Sequence, residues 1–208
     1  MLHSKIYLIL GIGTDIGKTF FIENLCRKIP TARAIKPIVS GILDDDLNSD
    51  SAKILAAMNL KLTKENLDKI SPWRFEMPVS PHFAGEINYN DLLKFCRKEI
   101  ANTHNANNDF LFIESAGGVM SPINNEKTFL DLARDLKIPI ILISSNYLGA
   151  ISHSLTAIEV LKKNNIFIEK IVLNENFPSK IENIKIAQTI SSFSQVEVIE
   201  MSKFLNQI

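Results

Sequence analysis

Along the chain, short apolar runs of strand length alternate with longer stretches whose apolar residues recur at helical spacing. The runs at 5–10, 32–37, 109–114, 139–144, 168–173 and 195–199 predict strands. Most are continuously apolar, not alternating, as expected for parallel strands covered on both faces. Between them, Phe21, Leu25, Cys26 and Ile29 form one helical stripe, Leu92, Leu93, Cys96 and Ile100 a second, and Ile151, Leu155, Ile158 and Leu161 a third. This alternation predicts an α/β fold, a doubly wound and mainly parallel sheet flanked by helices, with functional groups at the carboxyl ends of the strands. The polar stretch 102–108 predicts a surface loop. The stretch 71–90 holds Pro72, Pro78 and Pro81 with little periodicity, a long excursion of the kind that serves a site. No repeat or Pro/Ser-rich linker divides the chain, so residues 1–208 are expected to form one domain.

Composition narrows the function classes. Hydrophobic residues make up 46% and charged residues 22% of the chain, an ordinary water-soluble balance. Lys+Arg and Asp+Glu are 23 each, so no net field points to nucleic acid or an anionic membrane as partner. An anion must then be held by a local site. Cys26 and Cys96 both fall on helical stripes and are expected to be buried, reduced thiols. The longest apolar runs are too short to span a bilayer, and no signal-peptide pattern follows Met1. A cytoplasmic location is the expectation.

The first strand runs into Gly11-Ile12-Gly13-Thr14-Asp15-Ile16-Gly17-Lys18-Thr19, and the first helical stripe follows at once. The spacing, Gly-x(5)-Gly-Lys-Thr, is one residue longer than the strict phosphate-loop pattern. A glycine-rich turn that merely caps a helix is the alternative. The strand-to-helix junction favours phosphate, because backbone N–H groups from Gly13 to Thr19 converge there and the helix dipole adds to them. Lys18 would reach the β- and γ-phosphates of a nucleotide, and the Thr19 hydroxyl would ligate Mg²⁺.

Further polar stations end other strands. Lys36 and Ser40, in Lys36-Pro37-Ile38-Val39-Ser40-Gly41, stand at the end of the second strand. A lysine there neutralises a transferring phosphate or a carbamate, or else it snorkels before a turn. Asp50 either belongs to a metal shell or is a first-turn carboxylate favoured by the helix dipole. Glu114 ends the very apolar strand Phe110-Leu111-Phe112-Ile113, where a Mg²⁺ carboxylate sits in nucleotide-binding folds, and Thr19, Asp50 and Glu114 make a candidate set. Gly117 and Gly118 allow close approach by a substrate or a second backbone. Gly149-Ala150-Ile151-Ser152 opens a helix and is either another anion site or an ordinary helix start.

Taken in order, Gly11–Thr19, Lys36–Gly41, Asn48-Ser49-Asp50, Ser80-Pro81-His82, Glu114–Gly118 and Leu148–His153 resemble the dethiobiotin synthetase family, a group with a P-loop NTPase fold. The resemblance implies an ATP-dependent, Mg²⁺-dependent homodimeric ligase acting on 7,8-diaminononanoate and CO₂. By the same resemblance, Lys18, Lys36, Thr14 and Ser40 are catalytic, and Gly13 to Thr19 together with Asn174 hold the nucleotide. Lys36, Ser40, Gly117 and Gly118 bind substrate, while Leu148, Gly149, Ala150 and Ser152 bind the carboxylate of the neighbouring subunit's substrate. The chain departs from the family at Gly13, where Asp is usual, at Asp15, where Glu is usual, and at Ser115, Tyr147 and Ser152. Its tail also lacks the Pro-containing segment that packs on adenine. A partitioning-type switch ATPase is the competing reading. That class carries an extra lysine early in the loop, where this chain has Ile12, Gly13 and Thr14.

Overall fold

The run Ile6–Gly11 forms β1, which is buried at every position because helices cover both faces of its sheet. The computed structural model describes residues 2–43, 46–105 and 110–208. After β1 come α1 (Lys18–Lys28), β2 (Ala32–Ile35), β3 (Ile38–Ser40), α2 (Asp50–Ala57), α3 (Lys64–Ile70), β4 (Trp73–Phe75), α4 (Pro81–Ala84) and α5 (Tyr89–Asn105). The remainder is β5 (Phe110–Glu114), α6 (Phe129–Leu136), β6 (Ile140–Ser145), α7 (Ala150–Lys163), β7 (Ile168–Asn174), α8 (Asn183–Ser194), β8 (Val198–Glu200) and α9 (Met201–Asn206).

Six strands make the central sheet in the order β2-β5-β1-β6-β7-β8, and every pairing among them is parallel. β1 lies between β5 and β6, so the chain switches sides there, the point at which an open α/β sheet leaves a crevice beyond its carboxyl ends. Register brings Ile9 beside Glu114 and Gly11 beside Ile143, so the loop after β1 rises next to the tip of β5.

The expected second strand ends early. β2 stops at Ile35, and Pro37, which has no N–H to give to a ladder, lets the chain turn away from the main sheet. Ile38–Ser40 then pairs in parallel with Trp73–Phe75, a two-stranded sheet that was not foreseen. The 71–90 excursion therefore contributes a strand and a short helix and packs on the segment that carries Lys36 and Ser40. The loop expected at 102–108 is helical as far as Asn105; positions 106–108 and Asp109 lie outside the described residues. The strand expected at 195–199 is shifted to Val198–Glu200. Gln195 instead closes α8 in a left-handed conformation, its N–H donating to Ser191 O at 2.8 Å.

Helix faces follow the predicted stripes with two rotations. α1 buries Phe21, Ile22, Leu25 and Cys26 as expected, and Ile29 falls just beyond its end. On α5, Leu92 and Cys96 are buried, but Leu93 and Ile100 lie at the edge of the interface. Glu99 and Thr103 take the buried face instead, because Glu99 receives Arg33 of β2 at 2.7 Å and a paired carboxylate tolerates burial. α7 buries Ala150, Ser154, Ala157, Ile158 and Leu161, with Ile151 and Leu155 at the margin. Ser154 Oγ meets Ala150 O and Ser144 Oγ, both at 2.7 Å, so small residues bring this helix close to β6. At α2, the Ser49 hydroxyl accepts the Ala52 N–H at 3.1 Å, a cap that contributes about 1 kcal/mol and fixes where Asp50 begins the helix. Among the described residues no helix is long and apolar enough to cross a membrane.

Both thiols are buried, and desolvation pushes the pKa of Cys26 and of Cys96 up to about 12. The thiolate is the reactive form. We expect the native protein to show no fast reaction with a disulfide reagent at mildly alkaline pH, and both thiols to react once denaturant is added. A thiol that reacts rapidly in the folded protein would contradict this packing.

Candidate active site

Two strand ends and two helix starts bring opposite charges together under the loop that follows β1. That loop turns on two left-handed residues, Asp15 (φ 55°) and Gly17 (φ 92°), before α1 begins at Lys18. Gly17 has no room for a side chain, since a Cβ there would stand 2.4 Å from Asn174 Nδ2. Ile16 points into the core, leaving only its backbone to the loop. Asn174, at the end of β7, donates from Nδ2 to Ile16 O at 2.9 Å and accepts the Asn176 N–H at 3.2 Å. Its side chain thus braces the loop. Lys18 lies folded back along the loop, donating to Gly13 O at 2.8 Å. Burial, with the Lys36 ammonium adding to it against the pull of Glu114 and Asp50, lowers the Lys18 pKa to about 8.

Lys36, one residue beyond β2, is buried and sits at the centre of the cluster. Its Nζ lies 2.8 Å from Glu114 Oε1 and 3.4 Å from Thr19 Oγ1, and it forms an ion pair with Asp50 Oδ2. Thr19 Oγ1 also donates to Glu114 Oε1 at 2.7 Å. Burial disfavours the Lys36 ammonium, but Glu114 and Asp50 outweigh it and hold its pKa above the ordinary lysine value. Asp50 is likewise desolvated, yet Lys36 keeps its carboxyl below the usual range. Asp50 is therefore both a first-turn residue of α2 and a member of the charge cluster around Lys36. Glu114 Oε2 and Ser40 Oγ are buried with no hydrogen-bond partner among the described residues.

A cavity of about 420 Å³ opens over this cluster, lined by Thr14, Asp15, Lys36, Ser40, Asp50 and Gly117 and walled by Pro78–Pro81 of the proline-rich excursion. Gly41, at φ 76°, packs against Pro78, where a Cβ would come within 2.9 Å, and this contact joins the excursion to the site. A second groove of about 510 Å³ adjoins it through Thr14 and Ser121. Its apolar wall comprises Ile12, Val119, Met120, Pro122, Ala157 and Val160. A larger cleft of about 730 Å³ lies at the amino ends of β6 and β7 and includes none of the expected site residues. The carboxyl edge, where the charges converge, is the site the chemistry selects.

Leu148, Gly149 and Ser152 are exposed at the start of α7, whereas Ala150 is buried with its N–H bonded to Tyr147 O at 3.0 Å. Tyr147 Oη meets His153 Nδ1 at 2.7 Å. Within one chain these residues do not line the 420 Å³ cavity. Two features went unforeseen. One is that a single ammonium contacts Thr19, Asp50 and Glu114 together. The other is Ser121, which lines both cavities and which no sequence pattern marked.

A glycine-rich loop between a central parallel strand and a helix, with a lysine, a threonine and strand-end carboxylates beneath it, defines a P-loop nucleoside triphosphatase fold. Solved structures agree at the level of fold. The MinC:MinD cell division complex of Aquifex aeolicus matches with a TM-score of 0.57 at 15% identity, covering 98% of this chain and 86% of that one. A ParA family ATPase from Chlorobium tepidum matches with a TM-score of 0.51 at 16% identity, covering 95% and 82%. A family model described as an AAA domain matches residues 5–201. In sequence, the chain is 35% identical over 204 residues to the ATP-dependent dethiobiotin synthetase BioD of Methylobacterium nodulans, covering 92% of this chain and 90% of that protein. It is 38% identical over 180 residues to that of Phenylobacterium zucineum, covering 82% and 76%. The chain belongs to the ATP-dependent dethiobiotin synthetase family.

The turn after β5 offers a direct test of the packing. A Cβ on Gly118 would meet Ile12 O at 3.3 Å and Gly11 O and Gly13 Cα at 3.4 Å, whereas one on Gly13 would meet nothing within 4 Å. Gly118→Val is expected to force the turn off the phosphate loop, costing about 1–3 kcal/mol. Gly13→Ala should leave the thermal midpoint unchanged. Equal midpoints for the two variants in thermal melts would contradict this arrangement.

Proposed function

We propose that the chain joins CO₂ to 7,8-diaminononanoate and closes the ureido ring to give dethiobiotin, ADP and phosphate. The observation that carries the reading is the convergence of Lys18, Lys36, Ser40, Thr14 and Gly117 on one edge, in a family whose named members are ATP-dependent dethiobiotin synthetases. One amine of the substrate takes up CO₂ as a carbamate. A carbamate oxygen attacks the γ-phosphorus, giving a carbamic-phosphoric anhydride and ADP. The second amine then attacks the carbamoyl carbon; the bond to the phosphate oxygen breaks, and phosphate leaves with the electron pair.

An anionic nucleophile approaching an anionic phosphate needs cations and oriented donors more than it needs a strong base. Lys36 and Ser40 would face the carbamate and γ-phosphate, Thr14, Gly117 and Gly118 the reacting end of the substrate. Lys18 and the N–H groups of Gly13 to Thr19 would hold the phosphates, with Asn174 near the purine. Thr19, Asp50 and Glu114 supply hard oxygen donors that suit Mg²⁺, and the buried, unpartnered Oε2 of Glu114 supports the fit. Bound there, the ion would neutralise charge on the β- and γ-phosphate oxygens. Among the described residues no three His, Cys, Asp or Glu side chains cluster as a metal site, so phosphate oxygens and water would complete the shell. The enzyme is read as cytoplasmic.

A homodimer completes the site in this reading. Leu148 is fully exposed, and Phe83 and Met120 also stand in solvent, apolar groups that a second copy would cover. Leu148, Gly149 and Ser152 of one subunit would then meet the carboxylate of the substrate held by the other, with Ala150, buried and with its N–H bonded to Tyr147 O, supporting them from behind. Mixing Lys36→Gln protein with a separately inactive Ser152→Glu protein is expected to restore about a quarter of wild-type activity through mixed dimers. No recovery after subunit exchange would dismiss the shared site.

The reading as a whole is tested by phosphate release with and without the diamine and bicarbonate, and with Lys36→Gln. Release that requires both cosubstrates, accompanies cyclic urea formation and falls by about 100-fold or more in the variant is the expected result. Hydrolysis indifferent to the diamine would favour a switch ATPase instead.

A further inference from the structure

Ser121 sits in the seam between the two cavities and shares that position with Thr14, the other polar residue lining both. Its backbone is held firmly. Ser121 N donates to Gly118 O at 3.0 Å, Phe129 N donates to Ser121 O at 3.1 Å, and Pro122 bridges to Thr128 just beyond. Its side chain is fixed as well, because Oγ accepts the Gly118 N–H at 2.8 Å. Gly117, at φ 86°, makes room for it: a Cβ there would lie 2.3 Å from Ser121 Oγ and 3.7 Å from Thr14 Oγ1. The two hydroxyls therefore flank the same glycine.

The hydrogen bond from Gly118 uses one lone pair of Oγ and leaves the hydroxyl proton without an acceptor among the described residues. Accepting a hydrogen bond polarises a hydroxyl and makes it a stronger donor. One cavity beside it holds Lys36, Ser40, Asp15 and Asp50, and the other is a mostly apolar groove, with His153 and Thr156 on one wall, that can take a hydrocarbon chain. A ligand spanning both would carry its apolar part in the groove and its charged, reacting end past the seam. An oxyanion passing that point meets a fixed donor.

We propose that Ser121 is a further substrate-contacting residue, its hydroxyl donating to a carbamate oxygen at the seam between the two cavities. The proposal rests on the ligase reading. It assigns Ser121 no proton transfer: the proton stays on Oγ, and the hydrogen bond orients the carbamate toward the phosphate while the chain of the substrate lies in the groove.

The test compares the wild-type protein with Ser121→Ala and Ser121→Thr. Cyclic urea formation is measured at varied diamine, and binding of a fluorescent ATP analogue is measured separately without diamine. Losing a donor to a charged oxygen is expected to lower kcat/KM for the diamine by about 10–100-fold in Ser121→Ala. Nucleotide affinity should stay unchanged, and Ser121→Thr, which keeps the hydroxyl, should recover most of the loss. Unchanged kcat/KM in Ser121→Ala overturns the proposal. An equal fall in nucleotide affinity also overturns it, since that is the mark of a turn that only supports the phosphate loop. Wild-type protein that forms no cyclic urea overturns the ligase reading itself, and this proposal with it.

Discussion

The ammonium of Lys36 lies against the carboxylate of Glu114 where almost no water reaches, and the charged groups at the carboxyl edge are arranged around this pair. Glu114 is 1% exposed and Lys36 7%. Leaving either charge alone at such a depth would cost about 3–5 kcal/mol. Each charge is therefore admitted to the interior only by the other, with Thr19 and Asp50 satisfying further hydrogen-bonding capacity. The pair also ties β2 to β5, α1 and α2 at their functional ends. Such a pair is weak evidence for stability, because an apolar replacement of the same shape could serve as well. What it maintains is a dense set of ionised groups at one place, which a charge-neutral core could not offer to a phosphate.

The sheet makes this concentration possible without distortion. All six strands run the same way, so every strand end on one edge feeds a loop on that edge, and the switch of direction at β1 opens a gap between neighbouring loops. The gap is then narrowed by glycines where backbone must meet backbone. Gly118 lies on the carbonyls of Gly11 and Ile12, and Val119 N donates to Gly11 O at 3.0 Å. The phosphate loop and the turn after β5 are consequently one packed unit. A shift in either would be felt at Lys18, Thr14 and Ser121 together, because a close-packed interior has no slack in which to absorb it.

Much of this was legible from residue order because parallel strands advertise themselves as unbroken apolar runs and because Gly17-Lys18-Thr19 occurs at a strand-to-helix junction. The sheet, the glycine-rich loop and the strand-end positions of Lys36 and Glu114 were visible on those grounds, whereas Asp50 read as readily as a first-turn carboxylate of its helix. Less legible was whatever depends on partners distant in sequence. Glu99 on the buried face of α5 is intelligible only once Arg33 is seen beside it. The pairing of Ile38–Ser40 with Trp73–Phe75 left little periodic trace, since three-residue strands are too short to show one. Gln195, in a left-handed cap, reads in sequence as the start of a strand. Ser121 carries no chemistry of its own until the fold sets it between two cavities.

One fold supports unrelated functions, and the likeness to MinD and ParA ATPases speaks only to the scaffold. What separates the readings is what stands beside the loop at the carboxyl edge. A switch needs the phosphate loop and a surface that responds to it. A ligase needs, beside the loop, a second place where another reactant is held in line with the γ-phosphate. Here the segment after β2 leaves the sheet at Pro37, carries Ser40 on a strand of its own, and is backed by the proline-rich excursion through Gly41 and Pro78. That wall, and the mostly apolar groove that continues from it past Ser121, make a compartment beside the glycine-rich loop with Lys36 and two carboxylates at one end and a largely hydrocarbon lining at the other. A nucleotide alone would fill only the loop side of this space; the compartment beside it has the chemistry of an amphiphilic cosubstrate.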